Sequence, residues 1–231
     1  MAIRGDWPGL VTIRSGWWKA VARPLNDDST DAVLRIERGS ADFARRAAES
    51  LLSCGATAVN GPPLLPGSGQ MFVRAGFEPH VELLLFERDL RDAVGDIHGV
   101  HVSEPSERES AAAIDNAAFP DDWRVGRLGL RDAMDATPES VMFSPDGGAG
   151  CAIVGVATEI GYLQRIAVHP RDQGGGLGRI LVRASVAWAR GHGARTMMLN
   201  TQMDNERAAH LYRSEGFHAL SARLTIHRFA P

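Results

Sequence analysis

Two rhythms of apolar and polar residues alternate along the second half of the chain, one with the period of a helix and one with that of a strand. Leu177, Ile180, Leu181, Ala184 and Trp188 fall at i, i+3, i+4, i+7 and i+11, the stripe of an amphipathic helix. Arg190 lies in its last turn, and Gly191 and Gly193 supply a stop. Residues 106–118 predict another helix from Ala111, Ile114 and Ala118, and residues 128–136 a weaker one. Apolar runs separated by Gly-rich turns predict strands at 99–102, 141–143, 151–158, 162–168 and 195–201. Alternation of this kind implies an α/β or α+β domain with a mixed sheet.

Part of the pattern occurs twice. Gly193-Ala194-Arg195-Thr196-Met197-Met198-Leu199 opens a strand that leads to a helix ending at Tyr212-Arg213-Ser214-Glu215-Gly216-Phe217, and Ala222-Arg223-Leu224-Thr225-Ile226-His227 follows as a closing strand. Earlier, Gly55-Ala56-Thr57-Ala58-Val59 is followed by Met71-Phe72-Val73-Arg74-Ala75-Gly76-Phe77 and by the strand-like Val81-Glu82-Leu83-Leu84-Leu85-Phe86-Glu87. An Ala/Arg-rich helix precedes each, over 41–52 and 178–190. The shared order and the shared Gly-Ala and Gly-Phe point to a diverged duplication. The stretch 92–98 is the expected boundary, giving a first domain of residues 1–92 and a second of residues 93–231.

Composition narrows the classes. The chain has 231 residues, 44% hydrophobic and 23% charged, which suits one large globular domain or two small ones. A net charge of −3 and a pI near 6.2 give no basis for binding nucleic acid, and of 25 basic residues only Lys19 is lysine. Cys54 and Cys151 stand in no metal or redox spacing and read as small apolar core residues in a reducing compartment. Met1-Ala2-Ile3-Arg4-Gly5-Asp6 shows no signal-peptide pattern, and no apolar run nears the roughly 20 residues of a membrane span. These features lead to the expectation of a cytoplasmic protein without a membrane partner.

The chemistry concentrates after the strand Tyr162-Leu163-Gln164-Arg165-Ile166-Ala167-Val168-His169-Pro170. Arg171-Asp172-Gln173-Gly174-Gly175-Gly176-Leu177-Gly178 then feeds the amphipathic helix. Such a turn leaves backbone N–H groups unpaired at a helix N-terminus, where the helix dipole favours a pyrophosphate. A Walker loop would need Lys then Ser/Thr after its last glycine, where Arg179-Ile180 stand. A dinucleotide fingerprint starting at Gly174 would need glycine at Arg179. A plain glycine turn is the competing reading. Further on, Asp204 or Asn205 can cap a helix whose Ala208, Leu211 and Tyr212 share a face, with Gly216 as its C-terminal stop.

Together these residues resemble the GNAT superfamily of N-acetyltransferases. Gln173-x-x-Gly176-x-Gly178 matches the family's Q/R-x-x-G-x-G/A loop. Asn205, Ala208, Leu211, Tyr212, Gly216 and Phe217 match its N-x-x-A-x-x-L-Y-x-x-x-G-F motif. The resemblance covers residues 99 to about 228 and implies the GNAT fold, a mixed, mostly antiparallel central sheet flanked by helices, preceded here by a smaller partial copy of the same fold. It implies acetyl-CoA as cosubstrate, no metal, and an amine acceptor, in a monomer or homodimer. Ile166, Ala167 and Val168 would pair with the pantetheine arm. Gln173, Gly174, Gly175, Gly176, Leu177, Gly178 and Arg179 would hold the pyrophosphate. Asn205 would face the cofactor arm, and Tyr212 would give the leaving thiolate a proton or hydrogen bond.

A base for the amine is less marked. Glu159, in the turn Thr158-Glu159-Ile160-Gly161, is the candidate, against the simpler reading of a solvated turn carboxylate; Gln164 could instead position a water. Two acceptor classes compete. Ala118-Phe119-Pro120-Asp121-Asp122-Trp123 looks similar to the acceptor region of ribosomal-protein alanine N-acetyltransferases, whereas the tandem layout resembles mycothiol-synthase-like enzymes. The first copy has Arg35-Ile36-Glu37-Arg38-Gly39-Ser40 in register with the glycine loop and Phe72 in place of Tyr212, and reads as degenerate. A non-catalytic acyl-CoA-binding module is the alternative function.

Overall fold

A computed structural model of the protein describes residues 1–91 and 98–231. The chain forms two compact units, Met1–Leu83 with Ala222–Pro231, and Leu84–Ser221. The expected boundary at 92–98 lies, His98 apart, outside the described residues.

In the first unit, β1 (Ala2–Arg4), β2 (Val11–Ser15), β3 (Trp18–Pro24) and β4 (Ala32–Arg38) form successive antiparallel pairs. Helix α1 (Ala41–Ser53) follows, capped by Ser40, whose hydroxyl accepts from the N–H of Phe43 at 3.3 Å. It buries Phe43, Ala44, Ala47, Ala48 and Leu51, the apolar stripe of a 3.6 period. Then come β5 (Val59–Asn60), parallel to β4, the short α2 (Gln70–Arg74) and the long β6 (Glu78–Asp89). The sequence reading anticipated none of β1–β3: alanine, arginine and lysine dilute the β-branched signal in β1 and β3, and the Val11-Thr12-Ile13 run of β2 is only three residues long. It also placed 35–38 against the glycine loop, whereas these residues lie in β4 and only Gly39 and Ser40 join strand to helix. Cys54, expected in the core, is exposed just past α1, and Cys151 is buried.

The second unit contains β7 (Val100–Val102), α3 (Pro105–Ala118), α4 (Gly126–Met134), β8 (Glu139–Pro145), β9 (Gly150–Ala157), β10 (Ile160–Val168), α5 (Leu177–Gly191), β11 (Thr196–Gln202), α6 (Glu206–Ser214) and the start of β12 (His218–Phe229). Its strand order is β6-β11-β10-β9-β8-β7, antiparallel from β7 to β10 and parallel between β10 and β11. Strand β9 shows why both faces need helices. Ala152 and Val154 pack with Leu181, Val182 and Val186 of α5, while Cys151 and Ile153 pack with Ala111, Ala112 and Leu130 of α3 and α4.

The two longest strands pass from one unit into the other. Residues 84–89 of β6 belong to the second unit, where Phe86 and Leu90 are fully buried in its core. Residues 222–229 of β12 belong to the first, paired with β5 through Arg228↔Asn60 and Phe229↔Val59.

At the rim of the second unit His101 on β7 bridges two carboxylates, Nδ1 to Asp146 at 2.9 Å and Nε2 to Glu107 at 2.7 Å. Hydrogen bonds to Asp146 and then Glu107 raise its pKa above 6.5. A raised imidazole pKa adds stability that is fully present below the unfolded value and is lost as pH rises through the folded one. His101→Ala is therefore expected to lower Tm more at pH 5.5 than at pH 8; an equal loss at both would show that the imidazolium contributes nothing.

Candidate active site

The site begins with a departure of strands. The β10–β11 ladder stops at Tyr162↔Met198, although β10 runs on to Val168 and β11 to Gln202. The cause lies on the other edge of β10, where Leu163 faces Val154 and Arg165 faces Ile153, so Gln164 is the extra residue of a bulge. A bulge bends its strand and increases the local twist. Past it, β10 keeps its ladder with β9 through Val168↔Gly150 and has none with β11. Ile166, Ala167 and Val168 all lie on this stretch.

Pro170–Asp172 forms a 3-10 turn after β10, and the glycine loop leads into α5. Gly174 and Gly176 have φ of 89° and 91°, the left-handed region where glycine is favoured. Gly176 is the N-cap residue, and no side chain caps the helix. No hydrogen bond among the described residues uses the N–H of Gly174, Gly175 or Gly176. These donors, with the helix dipole behind them, form an anion-binding terminus. A Cβ built on Gly174 or Gly176 meets no protein atom within 4 Å, so backbone conformation rather than crowding by protein requires glycine here.

Several predicted side chains turn out to be tied to the protein. The Gln173 amide donates to the carbonyl of Val168 at 2.9 Å and its oxygen accepts from Arg207 at 2.5 Å, joining loop, strand and α6. Arg179 is paired with Glu215 at 2.8 Å and donates to Ser214 at 3.3 Å. Glu215, 7% exposed, takes a second guanidinium from Arg183, also at 2.8 Å. Asn205, not Asp204, caps α6: its Oδ1 accepts from the N–H of Ala208 and its amide donates to Gln202, both at 3.1 Å.

Tyr212 is 4% exposed and packs its ring 5.8 Å from Phe86 and 6.2 Å from Phe217. Burial pushes its pKa up to about 12, opposed by the positive charge of Arg165. Its hydroxyl makes no hydrogen bond among the described residues, yet it is not one of their fully enclosed unpaired atoms.

Glu159 is the residue the structure does not bring to this group. It sits in the hairpin turn at the opposite end of β10, paired with Arg195 at 3.0 Å and 59% exposed. At a rise of about 3.3 Å per residue, that end of the strand is roughly 20 Å from Ile166.

Arg165 and Asp115 were missed by the sequence reading. Asp115 on α3 has no exposed side-chain surface; it accepts from Arg165 Nε at 2.6 Å and from the N–H of Val125 at 3.0 Å. Arg165 also donates to the carbonyl of Trp123 at 2.7 Å and lies 3.8 Å above the Phe119 ring. This pair ties α3 and the 118–123 segment to β10 at the bulge. Fifty positions separate the partners, so no local spacing announces them. Among the described residues no group of three His, Cys, Asp or Glu side chains is placed to hold a metal.

The chain is similar to known proteins in sequence and in fold. Residues 109–217 match the model of the acetyltransferase (GNAT) family. A mycothiol acetyltransferase of Streptomyces bingchenggensis (strain BCW-1) is 35% identical over 130 residues, which cover 51% of this chain and 42% of that protein. The chain thus spans less than half the length of that relative. In fold, the chain is similar to a GNAT-family protein of Novosphingobium aromaticivorans (TM-score 0.64, 18% identity, 95% of this chain and 90% of that one). It is also similar to a tandem GNAT protein from the clavulanic acid biosynthesis pathway (TM-score 0.60, 15% identity, 97% and 84%). The fold is that of the GNAT proteins, the N-terminal strands resemble a partial extra copy, and residues 109–217 carry the match to the acetyltransferase (GNAT) family.

Proposed function

We propose that the protein transfers the acetyl group of acetyl-CoA to the primary amine of a small acceptor. The observation that carries this reading is the convergence of a free stretch of β10 backbone, an uncapped glycine loop and the unpartnered Tyr212 hydroxyl. The pantetheine amides would pair with Ile166, Ala167 and Val168 as an added strand does. Backbone N–H groups from Gly174 to Gly178 would hold the pyrophosphate. Gln173, Arg179 and Asn205 serve through the frame they tie together, since their side chains already have protein partners.

In the reaction the amine nitrogen attacks the thioester carbonyl, a C–N bond forms and the C–S bond breaks. An N–H near Val168 would stabilise the oxyanion. The amine's proton leaves to water, which the bulge residue Gln164 would position. The electron pair of the C–S bond stays on sulfur, facing Tyr212. With a pKa near 12 the phenol keeps its proton at neutral pH and donates to that developing charge. The similarity to a mycothiol acetyltransferase favours a small amine over a protein N-terminus as acceptor.

The test is CoA release from acetyl-CoA with a panel of amino sugars, their cysteine conjugates and alanine-ended peptides. Release with the small amines is expected. Tight acetyl-CoA binding with no release on any amine would identify a non-catalytic acyl-CoA module. Gly176→Val probes the loop in the same protein. Valine at φ 91° costs about 1–3 kcal/mol or forces the loop to move. Calorimetry is expected to show acetyl-CoA affinity about 10- to 100-fold weaker, with Tm lowered by no more than the few degrees that this strain costs. Unaltered affinity in a folded variant would make the loop a plain turn.

A further inference from the structure

Tyr212 has no polar partner among the described residues, so ring packing alone must aim its hydroxyl. Two rings do this. Phe217, on the same Gly-Phe motif, lies 6.2 Å away at 62°, and Phe86 lies 5.8 Å away at 59°. Phe86 comes from β6, which precedes the expected repeat boundary and by sequence closes the first copy. It is 0% exposed, and the Arg213 guanidinium lies 5.7 Å from its ring centroid. From the same strand Arg88 lies 5.9 Å from the Phe217 ring, and the N–H of Leu90 donates to the carbonyl of Arg195 at 2.8 Å, tying the strand end to the start of β11. Residues 84–90 therefore touch both aromatic anchors of the Tyr-x-x-x-Gly-Phe motif.

We infer that Phe86 is a positioning residue for the acetyl-transfer site: the closing strand of the degenerate copy supplies the wall that holds Tyr212 in its working rotamer. The inference rests on the reading of Tyr212 as donor to the leaving sulfur. It gives the first copy a task that needs no acetyl-CoA of its own, consistent with Phe72 at the place of Tyr212 and with Ser40 capping α1 where the second copy has an uncapped glycine loop. Precision matters here, since a displacement of about 1 Å at a reacting group can cost about 100-fold in rate. A tyrosine ring freed on one side reaches a second staggered well, and its hydroxyl leaves the sulfur altogether.

The experiment compares Phe86→Leu with Phe143→Leu, a core change of the same kind at a residue 2% exposed that makes no ring contact with Tyr212. The chain has two tyrosines, so ring signals of the labelled protein are assigned with Tyr162→Phe. The three-bond couplings from backbone N and carbonyl C to the tyrosine Cγ then report the Tyr212 χ1 angle. In the wild type and in Phe143→Leu, couplings of one rotamer are expected. In Phe86→Leu, averaged couplings are expected, with acetyl-CoA affinity within about twofold of wild type. If Phe86→Leu does not fold, Phe86→Met, which keeps more of the volume, takes its place. A single unchanged rotamer in the Phe86 variant, or equal averaging in the Phe143 variant, overturns the inference. Because this readout needs no acceptor, it is independent of whether Tyr212 assists the chemistry; loss of rate in Tyr212→Phe decides that separately.

Discussion

Replacing Tyr212 by phenylalanine is expected to slow acetyl transfer by about 100-fold or more, the typical contribution of a positioned proton donor. The variant isolates the hydroxyl. The ring contacts with Phe86 and Phe217 persist, and no protein group loses a partner, because the hydroxyl has none among the described residues. An orphaned buried partner is the usual source of cost when a hydroxyl is deleted, so Tm should barely move. Acetyl-CoA affinity should also persist if the hydroxyl meets the sulfur only as charge develops there, which places the whole loss in kcat. Wild-type turnover, measured where chemistry limits the rate, would make Tyr212 a packing residue.

A chain reduced to residues 93–231 is expected to show no cooperative fold, although it contains both family motifs. It would lack residues 84–90, and with them Phe86 and Leu90, both 0% exposed in the core around α5, β11 and α6. Loss of a buried phenylalanine costs about 3–5 kcal/mol and of a buried leucine about 2–5. Their sum approaches the roughly 5–15 kcal/mol that stabilises a whole domain. The edge of β11 would also be left open, an aggregation hazard. Circular dichroism and gel filtration would check this. A soluble monomer melting cooperatively within a few degrees of the full chain would mean that the second unit needs nothing from β6.

The contrast between these two variants marks where the sequence was readable. The Tyr212 motif is local: Ala208 and Tyr212 lie in one short helix, with Asn205 as its cap and Gly216 just past its end, and each acts on groups a turn or two away. The glycine loop is local as well, because two left-handed residues and an uncapped helix start follow from the residue types themselves. Spacing along the chain was enough to find both the capped helix and the glycine-led start of α5. Glu159 shows the limit of that reasoning. Its distance follows from chain position, because it immediately precedes β10 and Ile166 lies roughly 20 Å further along the same extended strand; what the sequence did not show is the bulge at Gln164 that places the open edge at that far end.

What the sequence determined by itself, then, is what short-range periodicity and backbone chemistry carry: the helices from their stripes, the glycine loop at the start of α5, the stop of α6, and the duplicated order of elements. What only the tertiary structure decided is every pairing that closes over a long stretch of chain. The bulge at Gln164 acts because Ile153 and Val154 oppose its neighbours, Asp115 reaches Arg165 across fifty residues, and Phe86 reaches Tyr212 across more than a hundred. Side chains on a sheet meet by register and strand order, which no local pattern encodes, so a strand that by sequence closes one repeat can complete the core of the next.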